Sequence, residues 1–234
     1  MFQVLNCNNF AGVGIRPLNR DSRIDSNMFV LKYSDSNDLP TTADGEGDLN
    51  VDYAKRAEKF MEIYGNPAKD YETFDTAELG PCGTFPYGYI GDAVAPCVFL
   101  KFNKIWGWNP VPINETDFAN NDWPANFKAH WDGQKGAQNK IWVDCQGRNA
   151  ADKEALSSMQ YYPSTRGFET KYFPYEGRKE EYHSPLVAVQ FNFADNQQFL
   201  GQLIHVECRA YYQGVVHETK SKAGLVQFEL LVTK

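Results

Sequence analysis

The chain has 234 residues, 42% of them hydrophobic and 15% aromatic, with a formal charge of −7, so it is long enough to bury a substantial core without cross-links. It carries no lysine/arginine run and no basic stripe, which argues against nucleic acid or an anionic membrane surface as the main partner. No apolar run reaches the roughly 18–20 residues of a membrane helix, and Met1-Phe2-Gln3-Val4-Leu5-Asn6 lacks the charged start of a secretory signal.

Residues 1–47 read as polar and loop-like, broken by one extended run, Met28-Phe29-Val30-Leu31. Thr41 to Asp48 is small, acidic and glycine-containing, as in a flexible loop. Asn50 then has the chemistry to cap a helix over about 51–64, with Val51, Ala54, Ala57, Phe60, Met61 and Tyr64 on one side. Gly65-Asn66-Pro67 ends it. From residue 97 onward five segments alternate as strands do. Their apolar rows are Val98/Leu100/Phe102, Ile141/Val143/Cys145, Val187/Val189/Phe191/Phe193, Ile204/Val206/Cys208 and Val226/Phe228/Leu230/Val232. Period two in five separate segments predicts antiparallel sheet with one buried face. Asn109-Pro110, Asp132-Gly133, Asp195-Asn196 and Gln213-Gly214 supply turns. The stretches 106–139 and 146–184 read as long loops, a common place for binding surface.

Five cysteines stand at 7, 82, 97, 145 and 208. None forms a C-x-x-C pair and no histidine lies at a ligand-like offset, so no metal site is predicted. No local signature marks a cysteine nucleophile among His130, His183, His205 and His217 either. Cys145 and Cys208 each end the apolar row of a strand, which suits a bridge joining sheets. Cys82 and Cys97 flank a Gly/Tyr/Pro loop, which suits a local staple. Four cysteines allow three pairings, and strand parity prefers Cys82–Cys97 with Cys145–Cys208, worth ~3 and ~4 kcal/mol in the chain-entropy model. Cys7 is left over. Disulfides imply an extracellular or lumenal compartment, where Asn114-Glu115-Thr116 is an N-glycosylation acceptor.

Catalytic signatures are absent: no phosphate-binding glycine loop, no G-x-S-x-G, no H-E-x-x-H. Ala11-Gly12-Val13-Gly14 lacks a third glycine and a following helix, and Glu180-Glu181 reads as a solvated loop. Neither an enzyme nor a cofactor is expected.

Gly80-Pro81-Cys82, Tyr87-Gly88-Tyr89 and the run Ala95-Pro96-Cys97-Val98-Phe99-Leu100-Lys101-Phe102-Asn103-Lys104 resemble, in this order, the ectodomain of the β subunit of the sodium/potassium-transporting ATPase. Val143-Asp144-Cys145-Gln146-Gly147, Tyr172-Phe173-Pro174-Tyr175-Glu176-Gly177-Arg178, Pro185-Leu186-Val187-Ala188-Val189-Gln190-Phe191 and Glu207-Cys208-Arg209-Ala210-Tyr211 are similar to further motifs of that family. Gly12 to Pro17 resembles the segment just outside its membrane helix, and the wording around Cys97–Trp108 resembles invertebrate members.

The resemblance implies an immunoglobulin-like antiparallel β-sandwich with an N-terminal-side helix packed on it and long loops. Residues 1–10 would be the membrane-proximal end and 11–234 a single extracellular domain, the membrane helix being largely missing from the chain. It implies a non-catalytic, single-pass type II glycoprotein of the plasma membrane, bridged Cys82–Cys97 and Cys145–Cys208. That subunit assists folding, delivery and cation-affinity tuning of the catalytic α subunit of a P-type pump, alongside a small single-span regulatory subunit. A third, more N-terminal bridge usual in the family has no counterpart in Tyr64–Leu79. Tyr172, Phe173, Tyr175, Tyr211 and Tyr212 are expected to face the partner, since tyrosine-rich surfaces give contact area at low entropic cost. The competing expectations are that these aromatics fill the core, and that the ectodomain serves cell adhesion independently of a pump.

Overall fold

The computed structural model describes residues 11–18, 27–33, 48–91, 94–133, 139–177, 182–194, 199–217 and 222–234. Residues 1–10 with Cys7, the acidic loop 41–47, Asp195-Asn196 and Glu180-Glu181 lie outside the described residues.

All five strands expected from alternation form: β3 (Cys97–Phe102), β4 (Lys140–Gly147), β7 (Val187–Phe193), β8 (Leu203–Tyr211) and β9 (Leu225–Thr233). Among the described residues four more join them. These are β1 (Val13–Arg16), β2 (Met28–Lys32), β5 (Leu156–Tyr162) and β6 (Gly167–Glu169). The sheets run β1-β3-β7-β5 and β2-β9-β8-β4-β6, and their inner rows share one core. Phe191 of β7 meets Phe228 of β9 at 5.6 Å between rings, and Phe102 of β3 meets Phe168 of β6 at 4.9 Å. The molecule is a β-sandwich with a helix packed on it, as expected. One pairing departs from the antiparallel rule, because β2 runs parallel to β9.

The glycine-bearing Ala11–Gly14 stretch is not loop. It enters β1, which pairs with β3 and places Gly14 opposite Lys101. Likewise, the two long loops contain the short helices α2 (Glu115–Asn120), α3 (Ala125–Gly133) and α4 (Ala150–Ala155), besides β5 and β6. Asp132-Gly133, expected as a turn, closes α3.

Helix α1 (Leu49–Met61) continues as a 3-10 turn to Gly65, close to the expected stop. Its cap is Asp48 rather than Asn50: the Asp48 carboxylate accepts from the backbone N–H of Asn50 and Val51 at 2.8 and 3.4 Å. Asn50 is buried for a different task. Its side-chain amide donates to the Lys32 carbonyl and accepts from the Lys32 N–H, both at 2.8 Å. One turn on, the Tyr53 hydroxyl accepts from Val30 N–H at 3.2 Å and donates to the Met28 carbonyl at 3.3 Å. These side chains occupy the open edge of β2, where a strand would otherwise expose unpaired backbone groups. The far end of α1 packs Phe60 on Phe99 of β3 at 5.8 Å, so the helix closes one side of the sandwich.

Both bridges are formed. Cys82–Cys97 ties a 3-10 turn (Thr76–Gly83) to the start of β3. Cys145–Cys208 closes a separation of 63 residues, but the two cysteines are direct register partners on adjacent strands of one sheet. The expectation of a link between sheets is therefore corrected: both thiols point inward because β4 and β8 are neighbours with the same parity.

Candidate partner-binding site

The aromatic residues proposed from sequence fall into three environments. Tyr211 and Tyr212 are consecutive, and period two sends them to opposite faces. Tyr211 enters a satellite core on the outer face of β4 and β8. Its ring stacks on Phe127 of α3 at 3.8 Å and 10°, with Trp123 edge-on at 5.1 Å, and Trp131 of α3 meets Trp142 of β4 at 5.5 Å. Tyr212 turns into the main core against Phe102 and Trp108. Tyr172 is buried beside Phe74 at 5.7 Å. Burial raises the phenol pKa of all three. As side chains of this chain, Tyr172, Tyr175, Tyr211 and Tyr212 are interior rather than exposed, and Phe173 is half-buried between Phe102 and Trp108.

Tyr175 is buried yet belongs to the surface layer of one end of the sandwich. Its carbonyl accepts from Gly107 N–H at 2.8 Å, linking its segment to the loop after β3. Its ring packs on Tyr182 at 5.2 Å, and Tyr182 on Tyr71 at 5.0 Å. The Lys104 ammonium lies 5.6 and 5.3 Å from the centres of the Tyr175 and Tyr182 rings, a cation–π arrangement.

What this end presents to solvent is a different set of side chains. Trp106 is 72% exposed, Val111 53% and Val216 62%. Trp106 lies over Gly177, where an added Cβ would come within 2.1 Å of the indole and φ is +99°; only glycine leaves the ring that seat. Val111 is tied to the Tyr212 loop through its carbonyl, which accepts from Gln213 N–H at 2.8 Å. An open groove of about 480 Å³ runs alongside, between Asp70–Glu72 and Lys171–Glu176. Alternation in a strand gives no signal for these loop positions; two glycine-flanked loops bring Trp106 onto Gly177.

Asn114 caps α2. Its side-chain oxygen accepts from Asp117 N–H at 2.9 Å while Asp117 accepts from Asn114 N–H at 3.0 Å. The residue is exposed. Among the described residues no group of three or more His, Cys, Asp or Glu side chains could hold a metal ion. Among them, too, no helix is long and apolar enough to cross a membrane.

The family described as the sodium/potassium ATPase beta chain matches residues 27–228. The chain belongs to that family. It is 32% identical over 234 residues to the sodium/potassium-transporting ATPase subunit beta-2 of Drosophila melanogaster, covering 94% of this chain and 70% of that protein. Against Drosophila beta-1 the identity is 36% over 149 residues, or 62% of this chain and 45% of the relative. Human beta-2 is 30% identical over 170 residues, covering 69% and 48%. The chain thus spans about half the length of the latter two. The bridges, the sealed β2 edge and the open Trp106 end are features of this sodium/potassium ATPase beta-chain member.

Proposed function

We propose that the chain is the extracellular part of a non-catalytic β subunit, in the single-pass type II arrangement. It assists folding, plasma-membrane delivery and cation-affinity tuning of the catalytic α subunit of a P-type pump, with room in the complex for a small single-span subunit. Membership of the beta-chain family over residues 27–228 carries this reading. The end of the sandwich bearing Trp106, Val111 and Val216 is the partner-facing surface, because fixed, exposed apolar side chains on braced loops suit docking. Phe173, Tyr175, Tyr172 and Tyr212 act one layer down, holding that surface in shape; Tyr211 does so through the satellite core. Asn114 carries an N-linked glycan at its amide nitrogen.

Pull-down of the full-length protein co-expressed with an α subunit is expected to recover the ATPase and raise its surface level. Trp106→Asp is expected to cut recovery while leaving secretion of the domain intact. Failure to recover any P-type ATPase removes the reading. Bead aggregation by the domain alone, without ATPase recovery, moves it to the adhesion role.

A further inference from the structure

Helices α2 and α3 form a layer of their own on the outer face of β4 and β8. Phe127 and Trp131 of α3 pack there on Tyr211 and Trp142, in a cluster separate from the main core. A segment with its own small core can open without the rest of the molecule. The backbone hydrogen bonds described for it close within it: Phe118 N–H on the Asn114 carbonyl at 2.9 Å, Trp123 on Asn121 at 3.1 Å and Lys128 on Pro124 at 2.9 Å. The surface pair of Lys128 with Asp122, at 3.3 Å, is internal too. Among the described residues, its side-chain hydrogen bond to the sheet is that of Asn126 to Asp144.

That tie ends on a group that closure penalises. Asp144 is faced by Asn126 of α3, by Arg166 of the β5–β6 turn at 3.7 Å and by Arg209 of β8. Arg166 is shared with the Tyr161 ring, 4.3 Å from its centre, and Arg209 with Glu207 at 2.6 Å. Burial outweighs all three and holds the carboxyl pKa up at about 6. Three more polar atoms are buried around the same helices without a hydrogen-bond partner: Nε1 of Trp123, Nε1 of Trp142 and Nε2 of His130. Opening returns all of these groups to water, which works against the aromatic contacts that hold the layer down.

We propose that α2 and α3 are a lid that leaves β4 and β8 as a unit while the sandwich stays folded, and that the charge of buried Asp144 sets how often it does so. The leading end of the lid is pinned. Pro112 bridges to Tyr212, and the Val111 carbonyl accepts from Gln213 N–H at 2.8 Å. The moving part therefore begins at Asn114, so the sequon rides on its first turn, and its departure uncovers Trp142 and Tyr211. Helices of six and nine residues do not persist off the sheet, so opening frees their amides. The lid does not depend on association with a pump.

The test is hydrogen exchange of the whole chain at pH 7.5 in low, increasing concentrations of urea. After correction for intrinsic rates, the amides of α2 and α3, Phe118 and Lys128 among them, are expected to exchange about tenfold or more faster than those of β3 and β7. Their dependence on urea is expected to be shallower, because a lid exposes less surface than global unfolding. Asp144→Asn removes the charge and keeps the size, and is expected to slow the lid amides about ten- to hundredfold. Phe127→Ala, which removes the stack on Tyr211, is expected to hasten them by more than about tenfold. Exchange of α2 and α3 at the rate and urea slope of β3 and β7 overturns the proposal, and that comparison needs only the parent chain. Lid amides that are unchanged or faster in Asp144→Asn overturn it as well.

Discussion

Replacing Asp144 with asparagine is expected to stabilise the protein at neutral pH. Asp144 points outward from β4, yet its side chain is only 4% exposed because α3 lies across it. The Arg166 guanidinium is 3.7 Å away, and the Asn126 amide donates a short hydrogen bond to the carboxylate. Both favour the charged form, as does Arg209, but burial outweighs them and raises the carboxyl pKa from 3.8 to about 6. The folded chain therefore holds this proton more tightly than the unfolded chain. Its contribution to stability is fully present below pH 3.8 and is lost as the pH rises through about 6. Over that window the change is about 3 kcal/mol at most. Asparagine keeps the size and the neutral charge of the protonated form. Asp144→Asn should thus be more stable than the parent by about 1–3 kcal/mol at pH 7.5, with the difference closing toward pH 4. Urea unfolding followed by tryptophan fluorescence at both pH values measures it. A variant less stable than the parent at pH 7.5 would show that the Arg166 pair outweighs desolvation and refute the reasoning.

Removing the α1 cap by Asp48→Ala should cost about 1 kcal/mol in the same assay. Phe127→Ala should cost about 3–5 kcal/mol, because it removes the ring stacked on Tyr211 at 3.8 Å. Near-ultraviolet dichroism from Trp123, Trp131 and Trp142 should weaken with it. The double variant Cys145→Ala/Cys208→Ala, opening the 63-residue separation, should lose ~4 kcal/mol against ~3 kcal/mol for Cys82→Ala/Cys97→Ala. The reverse order in chemical denaturation would contradict the chain-entropy account.

Period-two alternation made β3, β4, β7, β8 and β9 legible because each has one row buried in the main core. It failed where both faces are covered. In Ile141-Trp142-Val143-Asp144-Cys145 the outward Trp142 and Asp144 are as buried as their neighbours, since α3 comes from a stretch too polar and glycine-bearing to announce itself. Strand β5 escaped for the opposite reason: Ser157, Ser158 and Gln160 are exposed on an edge, so no apolar row develops. Asn50 has the chemistry of a cap, and only tertiary structure shows its amide paired with Lys32. Tyr211 and Tyr212, both expected at the partner surface with the core as the competing expectation, are consecutive, and alternation places them on opposite faces, one in the satellite core and one in the main core.

The sheet edges narrow how a partner attaches. Edge β2 is occupied by Asn50 and Tyr53 of α1, and β6 is only three residues long. Edge β1 has four residues and adjoins a bridge from Gly12 to Ala223. Strand β5 has length, but its exposed face is serine and glutamine, and Ser158 is engaged by the Asn192 amide at 3.2 Å. Short, polar or covered edges are how sandwiches resist strand addition. On the proposed function, these edges favour recognition by side chains at the end of the sandwich over backbone pairing. There Trp106 is the largest exposed apolar group among the described residues, and its position depends on Gly177 having no Cβ. A partner that reads this end is sensitive to the Gly177 loop even where it does not touch Gly177 itself.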